Sequence, residues 1–138
     1  MDQPLPMLEE PRDHMRAREA ARAGDVLLAT RLLGRGLDVD ARVAGSATML
    51  MLGSRANRAP LVEALLAAGA DPELIDNFSN NAAMIAAERG ADGALAMLIS
   101  AGARIEEPGP RGTALVLAAA GGKIQCLRLL LAASSRRL

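Results

Sequence analysis

The sequence predicts an all-α chain of stacked helix pairs joined by short, hairpin-like extended fingers. Three observations predict it. The stretch LVEALLAAGADPELID, Leu61 to Asp76, returns as LLATRLLGRGLDVDAR at 27–42 and as ALAMLISAGARIEEP at 94–108. Its paired large aliphatic residues fall at Leu32-Leu33, Leu65-Leu66, Leu98-Ile99 and Leu130-Leu131, and its stop glycines at Gly36, Gly69 and Gly102, a period of about 33 residues. A second landmark, Gly24, Asn57, Gly90 and Gly122, recurs in the same phase, and Gly or Asn is what a left-handed helix terminus accepts. The composition is 51% hydrophobic but only 1% aromatic, so the core must be built from Leu, Ala, Val, Ile and Met, whose small volumes suit closely spaced helices.

Within the repeating stretch, Leu61, Val62, Leu65 and Leu66 share one helix face, Gly69 stops the helix, and Asp71-Pro72 forces an extended turn. Each period therefore holds a short helix, a tight turn, a longer helix and a finger. Such a unit cannot bury its apolar face alone, so neighbours must stack.

In chain order, residues 1–11 set Pro4, Pro6 and Pro11 among acidic residues, which reads as a flexible lead. From Asp13 the chain turns helical and charged, with Arg16, Arg18, Glu19 and Arg22 as the polar cover that a terminal unit needs. Asp25 opens the second helix, apolar along Val26, Leu28 or Ala29, Leu32 and Leu33. The next unit begins in a finger near Val43 and enters its first helix at Thr48, while Pro60 falls in the first turn of its second helix, where a missing N–H costs little. The last finger, EEPGPRG, is one residue shorter than the others, and Pro108 and Pro110 should bend and stiffen it. A final helix, KIQCLRLLLAA, leads into a polar end.

The period, the four in-phase copies and the helix openings Thr48-Met49-Leu50-Met51, Asn81-Ala82-Ala83-Met84 and Thr113-Ala114-Leu115-Val116 together resemble the ankyrin-repeat family. The resemblance covers about residues 15–133. It implies a repeat domain over 12–138, with repeats near 12–42, 43–75, 76–107 and 108–138, after a flexible segment 1–11. The family opens its first helix with Thr-Pro-Leu-His, whose Thr caps the helix. Thr48 and Thr113 keep that cap, Asn81 can replace it, and the His is lost at Met51 and Met84. The second helix of the third repeat starts at Asp92-Gly93 where the family places a buried Leu, so that pair should be the weakest anchored.

Sixteen basic and sixteen acidic residues cancel, which removes a general attraction to nucleic acid or anionic membrane. Phe78 is the sole aromatic, so stacking on bases has no support, and no apolar run reaches the length of a membrane span. With Lys123 the only lysine and abundant Ala and Gly, the composition suggests a GC-rich, bacterial genome. Cys126 alone forms no internal disulfide, and a cytoplasmic location is the default. Catalysis needs convergent groups, but His14 and Cys126 stand at opposite ends, Cys126 where the family places Val. Asp38, Asp40, Asp71 and Asp76 recur with the repeat as finger and turn residues rather than metal ligands. An enzyme or metalloprotein is therefore the remote alternative. No cofactor or metal is expected.

The resemblance implies binding of another protein on a concave side formed by finger tips and first-helix surfaces. Carried over by position, the candidates are Arg22, Ala44, Arg55, Arg58, Asn77, Phe78, Asn80, Glu88 and Arg89. Phe78, at the tip of the finger DNFSN, is either a partner anchor or a packing residue against the next finger. Arg22 and Arg55 hold equivalent positions, with Arg89 one place displaced and Arg58 nearby. They form either a basic stripe for a partner or simple complements to helix C-termini. The expected partner has an acidic, partly apolar patch. The expected use is that of an adaptor or scaffold, with an inhibitor or immunity protein against a toxin or enzyme as the alternative. A monomer is expected, and self-association through a C-terminal face around Leu127, Leu130 and Leu131 stands beside it.

Overall fold

The computed structural model describes residues 11–135, so nearly all of the expected flexible lead lies outside the described residues. Eight α-helices follow one another among them: α1 (Pro11–Ala23), α2 (Val26–Gly34), α3 (Met49–Arg55), α4 (Ala59–Ala67), α5 (Ala82–Arg89), α6 (Asp92–Ser100), α7 (Ala114–Ala120) and α8 (Ile124–Ser135). Pro11 belongs to α1 rather than to the lead. The helix starts two residues before Asp13 because proline, lacking an N–H, is tolerated in a first turn.

Helices pair in sequence, α1 with α2, α3 with α4, α5 with α6 and α7 with α8. The first members then pack in a row, α1 on α3 on α5 on α7, and the second members in another, α2 on α4 on α6 on α8. The leucines that marked the period form the seam: Leu32, Leu65, Leu98 and Leu130 are each no more than 1% exposed. Burying one such side chain stabilises the fold by about 1.5–3 kcal/mol. Alanines at Ala17, Ala20, Ala21, Ala82, Ala83, Ala86 and Ala87 are buried between the first-row helices, where larger side chains would hold the helices apart.

Local chemistry fixes the element ends. Thr48, Asn81 and Thr113 cap α3, α5 and α7 by accepting from the N–H groups of Met51, Met84 and Val116, and Asp25 caps α2 through Leu28. Gly24, Asn57, Gly90 and Gly122 all take positive φ, between 59° and 74°. At Gly24 and Gly90 the missing Cβ has a second use, for the stems of Arg58 and Lys123 lie 2.8 and 2.9 Å from where it would stand.

The fingers are stitched to one another by side chains. In the first, β1 (Arg42–Ala44) and β2 (Ala47–Thr48) form an antiparallel hairpin. Asp40 Oδ1 accepts from the Asp71 N–H at 2.9 Å, Ser46 Oγ from Asn77 at 2.9 Å, and Glu73 Oε2 from Arg104 at 2.8 Å. Arg42 Nη1 donates to the Ile75 carbonyl at 2.7 Å. Asp38, Asp71 and Asp76 accept from backbone N–H groups two residues on, the turn role expected of them.

At Asp92-Gly93, where a weak anchor was expected, a side chain from outside the pair supplies a cap. Asn57 reaches across from the preceding pair, its Oδ1 accepting from the Ala94 N–H at 2.9 Å and its Nδ2 donating to Asp92 Oδ1 at 3.4 Å. Gly93 leaves the room for it, since a Cβ there would lie 3.2 Å from Asn57 Oδ1. Ala94, Leu95 and Leu98 are then fully buried.

Candidate functional site

The tip of the second finger, between α4 and α5, is a tight turn built by one carboxylate. Asp76 Oδ1 accepts from the N–H groups of Phe78 and Asn80 at 2.9 and 3.0 Å, the Asp76 N–H donates to the Asn80 carbonyl, and Ser79 takes a left-handed φ of 62°. This closure leaves Phe78 74% exposed, so it is not spent on packing against the next finger. Asn77 is exposed beside it, whereas Asn80 is only 7% exposed. Asn80 is thus corrected from a surface candidate to a buried part of the turn, because closing the loop carries it inward.

The following finger packs alongside. Gly109 and Gly112 exchange both backbone hydrogen bonds around Pro110-Arg111, and a Cβ on Gly109 would stand 3.4 Å from the Ser79 carbonyl. From that turn Arg111 reaches the last turn of α5. It holds Glu88 in a two-point fork, Nη1 to Oε2 at 2.6 Å and Nη2 to Oε1 at 3.1 Å. The Arg111 hydrogen bond holds the Glu88 carboxyl below its ordinary range against the opposing push of burial, with lesser help from the charges of Arg111, Arg89 and Arg55. Arg111 is raised in turn by Glu88 and by Asp76, which ties this charge cluster to the Phe78 turn. The structure therefore joins Glu88 to Arg111, places Arg89 and Arg55 within electrostatic reach of Glu88, and sets the turn that carries Arg111 alongside the turn that carries Phe78.

Sequence reasoning missed Arg111. It stands at the finger position that Ser46 and Ser79 hold, which lies outside the positions carried over. A charged side chain between two tip glycines was the available signal. Arg58 is engaged elsewhere, its Nε donating to the Arg22 carbonyl at 3.0 Å, and it serves as a strut between pairs. Arg22 is exposed at the end of α1, and Ala44 is half-buried in β1. Between the two fingers runs a groove of about 500 Å³, lined by Ile75, Met84, Pro108 and Pro110 with Glu73, Arg104 and Glu107 at its polar side.

Cys126 is 1% exposed, and burial pushes its thiol up from the ordinary value. Among the described residues no group of three His, Cys, Asp or Glu side chains is placed to hold a metal ion, and no helix is long and apolar enough to cross a membrane.

Comparison with known proteins finds similarity over part or most of the chain. The chain is 33% identical over 113 residues to the ankyrin repeat domain-containing protein SAT10 of Stachybotrys chartarum, covering 82% of this chain and 6% of that protein. It is 48% identical over 62 residues to the mitochondrial disaggregase of Bos taurus and 45% identical over 62 residues to that of Homo sapiens, in each case 45% of this chain and 9% of the relative. The chain thus spans less than a tenth of the length of these curated relatives. No protein-family profile matches it. Over most of its length the chain is similar to an ankyrin repeat protein, and that similarity suggests a protein-interaction module.

Proposed function

We propose that the chain is an ankyrin-repeat solenoid with repeats near 12–42, 43–75, 76–107 and 108–138, and that it binds a protein partner without chemistry of its own, as an adaptor or scaffold. Similarity to an ankyrin repeat protein and the two helix rows support the architecture. The observation that carries the function is Phe78, 74% exposed at a fixed finger tip alongside the turn of Arg111, whose partner Glu88 lies within electrostatic reach of Arg55 and Arg89. An exposed aromatic on a rigid turn buries large apolar area at small entropic cost, which is the usual form of an interface hot spot. Three arginines against Glu88 and Asp76 leave a positive excess that favours an acidic neighbour for it. The partner therefore presents an acidic, partly apolar patch, with Arg22, Ala44 and Asn77 extending the contact surface.

The test is capture of the partner with wild-type protein and with the Phe78→Ala, Arg55→Glu double variant. Both sites are exposed, so helicity and melting should stay unchanged while capture falls at least tenfold. A partner retained in full by the folded double variant would remove this surface from the function.

A further inference from the structure

Glu88 interrupts an arginine series. Arg22 and Arg55 stand at equivalent last-turn positions of α1 and α3, and the equivalent place in α5 holds Glu88. The carboxylate does not disperse into water there; it lies in the fork of Arg111 while Arg55 and Arg89 stand close enough to act on it. Neither Arg55 nor Arg89 ion-pairs with another described residue. Arg55, Arg89 and Arg111 set against Glu88 and Asp76 leave one positive charge in excess.

We propose that Glu88 is a resident competitor, filling the Arg111 fork until an aspartate or glutamate side chain of the partner displaces it and takes the same two hydrogen bonds. This rests on the acidic-partner reading above and adds a regulator to it. The geometry favours exchange. The Arg111 and Glu88 side chains are 51% and 40% exposed, and exposed pairs are held weakly, so one carboxylate replaces another at nearly even cost. The planar fork already receives two oxygens side by side, which suits a carboxylate. Arg55 and Arg89 then favour the incoming acid, while the released Glu88 returns to water. Only ligands carrying an acid beside an apolar group gain from both the fork and Phe78.

The experiment uses a fluorescein-labelled hexaglutamate peptide ending in one phenylalanine, followed by anisotropy at fixed ionic strength against the full chain. Glu88→Gln should tighten binding about fivefold, and adding Arg111→Lys, which keeps the charge but not the planar fork, should abolish that gain, because the vacated fork is where the peptide goes. A gain that survives the double substitution reflects charge removal alone and overturns the proposal, as does no gain in Glu88→Gln. If instead neither wild type nor Glu88→Gln binds the peptide, or Arg55→Glu leaves its affinity unchanged, the acidic-partner reading itself fails. Unchanged helicity and a cooperative melt in each variant show that the comparison is between folded proteins.

Discussion

Asn57 carries two constraints at once, and they can be separated by substitution. Its backbone is left-handed at φ 59°, and its side chain caps α6, whose own N-cap residue Ala91 provides no side-chain bond. Asn57→Gly keeps the backbone and loses the cap, which should cost about 1 kcal/mol. Asn57→Ala loses both and should cost about 1 kcal/mol more, because an L side chain is strained in that region. Urea unfolding of the two variants reads the difference, and equal midpoints would show that the strain is absent. Ser54 offers the opposite sign. It is fully buried, its hydroxyl finds no partner, and the equivalent places hold Ala21, Ala87 and Ala119. Ser54→Ala should therefore stabilise by about 1 kcal/mol, since an unsatisfied buried hydroxyl is removed; a lower urea midpoint would mean that the hydroxyl is bonded in solution. The caps at Thr48, Asn81 and Thr113 and the left-handed stops were legible in the sequence because residues three or four apart decide them. The bond from Asn57 to Ala94 spans 37 residues, and nothing in the local pattern of Asp92-Gly93 announces it.

Among the elements, the last finger is the one whose attachment depends on charge. Its tip is tied to α5 through Arg111 and Glu88, and the Glu88 carboxyl titrates lower in the folded chain than in the unfolded one. A depressed acid contributes stability that is fully present above the unfolded value, about 4.3, and is lost as pH falls through the folded value. The side chain is 40% exposed, so solvent screening keeps the contribution within about 1 kcal/mol. Wild type should thus exceed Arg111→Gln in urea midpoint by a small margin at pH 7, and the margin should begin to shrink as pH falls past about 4.3 and close once it passes the folded value. A margin that does not change with pH across the acid range would assign it to packing of the arginine stem. The sequence showed that this finger is short and stiffened by Pro108 and Pro110, and it showed Phe78 alone at a tip. It did not show the fork, which joins residues 23 apart once two segments are folded alongside each other.

At the scale of the whole molecule, the helix rows have a covered middle and an open end. Positions that are sealed in α3 and α5 open in α7: Met51 and Met84 are 2% and 3% exposed, but Val116 is 49% exposed, and Ala119 is exposed where Ser54 and Ala87 are fully buried. In the second row Val62 and Leu95 are fully buried, while Leu127 is half-buried and Leu131 is 49% exposed. When each helix pair touches only its neighbours, stability is a sum of pair and interface terms, so α7 and α8, with one covered side among the described residues, should open before α5 and α6. Amide hydrogen exchange should then be slowest in α5 and α6 and faster in α8. Cys126 gives an independent reading from the same helix. Its thiol is buried against the α5 carbonyl of Ala86 at 3.9 Å and raised by desolvation, so a thiol reagent reaches it only when α8 lifts away. Labelling of Cys126 should accordingly run at the exchange rate of α8 and faster than global unfolding. If α5 and α8 exchange at one common rate, and Cys126 reacts only at that rate, the interfaces are strong enough that the chain opens as a single unit.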